Sequence, residues 1–322
     1  MTRIAAIDCG TNTIRLLIAD SSERVPGAGT GGLHDVVRRM QFVRLGQGID
    51  ATGRIAPDAM QRTLDAAQEY AAQCLLLGVE RIRFVATSAS RDAANSDEFT
   101  AGVREAFARW GVSPEVVPGD VEAQLSFRGA TGALLAADVA APYLVVDLGG
   151  GSTEFVRGSR SVQAALSTDI GSVRLSERHL SADPPTADQI AAATRDIDAA
   201  LDRAQDVVGF DQVATLVGLA GTVTTVFAHA LELPAYDPEA IDGATLSVSD
   251  VLASCAALVR ADRRARIAMP FLHEGRVDVI AAGALIWSRV VSRVAQRAGI
   301  TQVRASEADI LDGIAQSVLD RH

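Results

Sequence analysis

The sequence predicts an α/β protein of two domains with one nucleotide-sized cleft between them, on three observations. A strand, a tight polar turn and a second strand occur twice, once at the N-terminus and once near the middle of the chain. Strands alternate with helical stretches in both halves. The 322 residues, 48% hydrophobic and 22% charged, can bury one large core or two medium ones, unlike a disordered or fibrous chain.

The first strand pair reads IAAID, CGTN, TIRLLIA over Ile4–Ala19, with Gly10 and Asn12 supplying the turn. The pattern returns over Pro142–Arg157 as YLVVD, LGGGS, TEFVR. Each hairpin sets an aspartate, Asp8 or Asp147, at the end of its first strand. Between them, Ser21–Gly32 is rich in Gly and Ser and reads as an exposed loop. A helix is expected over Pro57–Leu77, with Pro57 at its start, Asp58 in its first turn and Gly78 past its end. Strands follow at Ile82–Thr87 and Pro114–Pro118. In the second half a helix opens at Thr186 behind Pro184-Pro185, and the apolar run ATLVGLAGT turns at Gly221. One further helix starts at the capping pattern Ser247-x-x-Asp250, and another runs through VDVIAAGALIWSRVV. A boundary near Gly129–Asp138 gives domains of 1–132 and 133–322.

Arginine supplies all 30 basic residues and lysine is absent, which excludes a Schiff base, a P-loop lysine and a kinase-type Lys–Glu pair. Against 40 acids the net charge is −10, a poor match for broad nucleic-acid binding. The excess acid sits in the second half, with 16 Arg against 24 acids over 131–322. The first half is nearly neutral, with 14 against 16, and better suited to face an anion. Cys9, Cys74 and Cys255 form no CxxC motif and are odd in number, so a reducing cytoplasm is expected. MTRIAAID reaches an aspartate before any signal-type apolar stretch, and no run of 18 apolar residues follows, so neither secretion nor a membrane span is expected.

In DLGGGSTE (Asp147–Glu154) three glycines remove every Cβ from the turn, so the amides of Gly149, Gly150, Gly151 and Ser152 can approach a phosphate closely. Ser152 and Thr153 add hydroxyls. Asp147 and Glu154 would repel bare phosphate, which points to Mg²⁺, or Mn²⁺ in its place, between carboxylates and phosphate oxygens. The Asp8 turn, with Thr11 and Asn12, repeats the design. Arg15, two residues past that turn's Thr13, either reaches along a bound chain or sits in a salt bridge. Cys9 reads as packing, and His34, His179, His229, His273 and His322 have no metal-ligand spacing.

Two such hairpins, one opening each domain, are the signature of the actin/Hsp70/sugar-kinase superfamily. IDCGTNTIRLLI, FVATSASRDAANS (Phe84–Ser96), PGDVEAQLSFRGA (Pro118–Ala130) and VVDLGGGSTEFV then resemble, in order, the exopolyphosphatase/guanosine pentaphosphate phosphohydrolase family. The likeness continues through STDIGSVRLSERHL, GLAGTVTTVFAHAL, GRVDVIAAGAL and SEADILDGIA, so it spans almost the whole chain. It implies two actin-like (ribonuclease H-like) domains flanking a cleft, and hydrolysis of the terminal phosphate of inorganic polyphosphate by in-line attack of water. Carried onto this chain, it makes Glu122 the base and Arg91, with Ser88 ahead of it, a phosphate contact. Asp8, Asp147 and Glu154 would hold the metal. Arg266 and Arg276, within an arginine-rich stretch that includes Arg260, Arg263 and Arg264, fall where the family places arginines. They would bind further phosphates of the substrate. The resemblance also implies a homodimer.

Three alternatives stand beside this expectation. The substrate could be guanosine pentaphosphate, or the related tetraphosphate a ligand, at the same phosphate site. A phosphotransferase or ATPase of the wider superfamily is disfavoured by Glu122 and by the absence of a sugar-recognition motif. Finally, Val121 occupies a place where the family more often carries a first acid, which leaves a non-catalytic polyphosphate or alarmone sensor open.

Overall fold

A computed structural model describes residues 2–21 and 32–320. Apart from its two end residues, the loop expected at Ser21–Gly32 lies outside the described residues, as does His322. The chain forms two units, one taking residues up to Gly129 and again from Ile310 onward, the other taking Ala130–Asp309.

The first unit begins β1 (Thr2–Cys9), β2 (Thr13–Ser21), β3 (Leu33–Phe42), α1 (Ile49–Thr52), α2 (Pro57–Leu76) and β4 (Arg81–Ala86). It continues with α3 (Ser88–Asp92), α4 (Ser96–Ala106), β5 (Glu115–Val116) and α5 (Gly119–Ala136), which carries the chain onward. The sheet order is β3-β2-β1-β4-β5, with β1 antiparallel to β2 and parallel to β4. Strand alternation divides the core into two layers. Ala5, Ile7 and Cys9 join Ile14, Leu16 and Ile18 beneath Tyr70 of α2 and Phe99 of α4. Ile4, Ala6, Leu17 and Ala19 face the other way, toward Leu125 of α5. By the same alternation Asp8 and Arg15 belong to this second face.

The second unit holds β6 (Tyr143–Leu148), β7 (Thr153–Gly158), β8 (Val162–Thr168), α6 (Ser172–His179), α7 (Ala187–Val208) and β9 (Thr215–Leu219). It goes on with α8 (Ala220–Ala230), α9 (Pro238–Ile241), β10 (Thr245–Ser247), α10 (Val248–Arg260), α11 (Arg263–Ile267), α12 (Ile280–Ala298) and β11 (Gln302–Ala305). Its sheet order is β10-β11-β9-β6-β7-β8, with β9 parallel to both β6 and β11. In both sheets an antiparallel trio (β1 to β3, β6 to β8) continues into parallel strands beyond its first member, the actin-like arrangement. The expected caps form: Thr186 makes a full capping box with Gln189, and Ser247 accepts from the Asp250 amide.

The last helix, α13 (Ile310–Asp320), corrects the expected 133–322 domain, because it packs on β1, β2 and β4 of the first sheet. Ile310, Leu311, Ile314, Ala315 and Val318 form an apolar stripe that completes the layer of Ile4, Ala6 and Leu17. Gly313 permits close approach to α5, since a Cβ there would lie 1.9 Å from the Leu125 carbonyl oxygen. Arg38 donates to Asp312 at 2.5 Å and Arg83 to Ser317 at 2.6 Å, fixing the helix along its length. Two smaller differences stand out. The last long helix begins at Ile280, after the VDV expected to open it, and β3 and β8, whose residues lack clean alternation, carry no strand signal in the sequence. Among the described residues no helix is long and apolar enough to cross a membrane.

Candidate active site

In the first unit the candidate residues gather at the carboxyl ends of the parallel strands β1, β4 and β5, the edge where open α/β sheets bind ligands. The β1–β2 turn closes with the Gly10 amide donating to the Thr13 carbonyl at 2.9 Å. That four-residue turn sets Cys9 opposite Ile14 and Asp8 opposite Arg15. Arg15 accordingly donates Nε (2.9 Å) and Nη2 (2.6 Å) to Asp8 Oδ2, so of the two roles open to Arg15 the salt bridge is realised. Thr11 and Ser88, both buried, share a hydrogen bond of 2.8 Å between their hydroxyls. The turn's carbonyls are occupied from behind: Thr11 O accepts from the Gly46 amide (2.8 Å), and Asn12 O from those of Val43 (3.1 Å) and Arg44 (2.9 Å). Gly46 makes room for this approach, because a Cβ would stand 2.2 Å from Thr11 Cγ2.

Glu122 lies in the first turn of α5 and is only 7% exposed. Arg91, at the end of α3, donates one Nη1 to the Val117 carbonyl (2.9 Å) and to Glu122 Oε2 (3.3 Å). The guanidinium thereby ties the segment after β5 to the carboxylate and holds Glu122 in place. Val121, one position earlier on α5, turns instead to the apolar layer of Ile4, Leu17 and Leu125. It is a packing residue, and the substitution that motivated the sensor alternative gives that alternative no structural support.

The second unit repeats the turn: the Gly149 amide donates to the Ser152 carbonyl at 3.0 Å, which sets Asp147 opposite Glu154. Both carboxylates are buried, and Glu154 Oε1 accepts from Ser167 Oγ at 2.7 Å. The start of α6 occupies the turn's carbonyls. Gly149 O accepts from the Ser172 amide (3.0 Å), and Gly150 O from those of Val173 (2.9 Å) and Arg174 (3.1 Å). Gly151 O accepts from Arg174 Nε at 2.9 Å. Thr153, expected as a phosphate donor, gives its hydroxyl to the Ile170 carbonyl at 2.5 Å and is fully buried. Ser152 is buried beside it.

The two distal arginines differ. Arg266, expected to bind phosphate, is buried, with Nη1 on the Val277 carbonyl at 2.7 Å and Nη2 on Asp183, so its fork serves the fold. Arg276 lies against the start of α8, where a Cβ on Gly221 would be 2.3 Å from its Cζ. It reaches Thr225 Oγ1 at 3.3 Å and sits 5.9 Å from the ring centroid of Tyr236. Tyr236 in turn bonds Glu307 Oε1 (2.6 Å) and Thr224 Oγ1 (2.7 Å). Burial raises the carboxyl of Glu307 above its ordinary pKa and pushes Tyr236 up to about 12. The three cysteines are free and buried; Cys9 sits in the β-sheet core, with its thiol pKa pushed well up by burial. His179 pairs with Asp196 and His229 with Ser254.

The two hairpins offer a divalent cation different sets of carboxylates. Two carboxylates directly opposite on neighbouring strands repel each other unless a cation lies between them. Mg²⁺ commonly uses one or two carboxylates, completing its shell with water and substrate phosphate. Asp147 and Glu154 offer that set. Asp8, expected as a third ligand, accepts both Arg15 bonds at Oδ2, and among the described residues no three His, Cys, Asp or Glu side chains form a metal-holding group. Sequence reasoning missed Gly46, Gly171 and Arg174, which lie behind the turns. Gly171 and Arg174 had a signal in their place within the block STDIGSVRLSERHL, and Gly46 had none.

The two sheets place the chain in the actin-like superfamily. Within it, residues 23–318 match the model of the Ppx/GppA phosphatase family, and the chain belongs to that family. Exopolyphosphatase 2 of Mycobacterium tuberculosis is 48% identical over 320 residues, 99% of each chain. The guanosine-5'-triphosphate,3'-diphosphate pyrophosphatase of Photobacterium profundum is 31% identical over 223 residues, 68% of this chain and 42% of that one. A crystal structure of an exopolyphosphatase-like protein shares 44% identity and a TM-score of 0.92, covering 98% of this chain and 97% of the other.

Proposed function

We infer that this chain is an exopolyphosphatase, hydrolysing the terminal phosphoanhydride of inorganic polyphosphate. The observation that carries the reading is its full-length likeness to a protein of that name, 48% identical across 99% of both chains. The geometry supplies groups of the right chemistry. Glu122, steadied by Arg91, takes the proton of the attacking water, with no covalent phosphoenzyme. The amides of Gly150–Ser152 and of the Thr11–Asn12 turn bind phosphate oxygens, and Arg91 offsets developing charge. Asp147 and Glu154 would hold Mg²⁺ or Mn²⁺, whose chemistry here is neutralisation of phosphate charge. Arg276, on the start of α8, binds a further phosphate of the chain.

The test is phosphate release by the purified protein with Mg²⁺ from polyphosphates of several lengths. Glu122→Gln is expected to lower turnover by about 10²- to 10⁴-fold while the protein stays folded and binds substrate. Near-full turnover by that variant would remove the proposed base. The 31% identity to the Photobacterium profundum enzyme favours one second reading, guanosine pentaphosphate as substrate. Release from the nucleotide alone would select it. The expected homodimer and cytoplasmic location belong to the same reading, and light scattering and fractionation test them.

A further inference from the structure

The triple-glycine turn has a supporting residue that no role described above assigns. A glycine turn presents N–H groups to an anion only if its peptide planes are held with their carbonyls pointing elsewhere; left free, Gly-Gly peptides rotate at little cost. Here the carbonyls of Gly149, Gly150 and Gly151 are each held by the start of α6. Backbone amides hold the first two. The third is held by a side chain, Arg174 Nε on Gly151 O at 2.9 Å. Gly171 makes room for the arrangement, since a Cβ there would stand 2.3 Å from Gly150 O. In the first unit Thr11 O and Asn12 O accept from the backbone amides of Gly46, Val43 and Arg44.

We propose that Arg174 is a positioning residue of the phosphate turn: its Nε, by fixing the Gly151 carbonyl, orients the following peptide so that the turn's amides face the substrate phosphate. The inference rests on the exopolyphosphatase reading insofar as that reading makes the turn a phosphate site. Arg174 touches the turn from behind and acts through it. Its loss should therefore weaken a contact made in ground state and transition state alike, which raises KM more than it lowers kcat.

The test uses the full chain with ¹⁵N-labelled glycine and serine, and Arg174→Met and Arg174→Lys. In the wild type, inorganic tripolyphosphate should shift the amide signals of the turn, Ser152 above all, whose N–H shares a peptide with the Gly151 carbonyl. In Arg174→Met those signals should already be displaced in the free protein, KM for tripolyphosphate should rise about tenfold with kcat within about threefold, and the Tm should stay within about 2 °C. Arg174→Lys should behave like the Met variant, because it keeps the charge and loses the planar donor. Unchanged amide signals and KM in both variants, against a wild type that responds to tripolyphosphate, would overturn the positioning role and leave the phosphate site standing. A lowered Tm with unchanged KM would likewise reduce Arg174 to a packing residue. A wild type whose turn amides ignore tripolyphosphate would overturn this proposal together with the phosphate reading of the turn.

Discussion

The two hairpins share a backbone and differ in charge. Each has a four-residue turn closed by the same bond, Gly10 to Thr13 and Gly149 to Ser152, and each turn has its carbonyls occupied by the segment that follows the third strand of its trio. A glycine of that segment, Gly46 or Gly171, lies against the turn. At the position opposite the aspartate, however, one hairpin carries Arg15 and the other Glu154. The first pairs its aspartate with an arginine, and the second sets two buried carboxylates opposite each other. One backbone device has been given two electrostatic roles by a single cross-strand residue.

The sharpest way to break the contrast is Glu154→Arg, which gives the second hairpin the charge pattern of the first. An Asp147–Arg pair is a favourable cross-strand pair, so the protein should fold, while turnover falls by about 10³-fold. Any rise in Tm that Mg²⁺ produces in the wild type should vanish with it, as thermal unfolding with and without the ion would show. Next in size is Gly313→Ala, which drives a Cβ into the Leu125 carbonyl and lifts α13 from the face that carries Asp8 and Arg15. A loss of about 3 kcal/mol in chemical denaturation is expected. The reverse exchange, Arg15→Glu, sets two acids opposite each other in the first hairpin and should destabilise it by about 3 kcal/mol.

Smaller effects separate the supports of the two turns. Gly171→Ala meets backbone at 2.3 Å, whereas Gly46→Ala meets the Thr11 methyl at 2.2 Å, and a side chain yields more readily. KM for polyphosphate should therefore rise about tenfold in the first variant and about threefold in the second. The smallest effect concerns pH. The Asp196 carboxyl is held below its ordinary pKa, chiefly by the hydrogen bond from His179 at the end of α6. A depressed carboxylate contributes stability above its unfolded pKa and loses it as pH falls through the folded value. Asp196→Asn should flatten the acid limb of the stability profile slightly, because the pair is partly exposed and screened.

Much of this was legible in the sequence because it is local. Turn glycines, an acid in the first turn of α5 and the caps at Thr186 and Ser247 are set by residues within a few positions of one another. A salt bridge was one of two readings open for Arg15, but its partner Asp8 followed only from the observed register, in which the turn begins at Gly10 and not at Cys9. Arg266 could not be separated from its arginine-rich neighbours, because what distinguishes it is burial against Val277 and Asp183, far off in the chain.

By itself the sequence determined the repeated strand–turn–strand pattern and the helix starts, because strand alternation, turn chemistry and capping are short-range properties, whereas Glu122 was singled out only by the family resemblance of its block. Only the tertiary structure decided that α13 returns to the first sheet, that Val121 packs inward and that Arg174 stands behind the glycine turn. Those assignments depend on which surfaces meet, and a helix's apolar stripe or an arginine's reach has no address until the sheets are assembled.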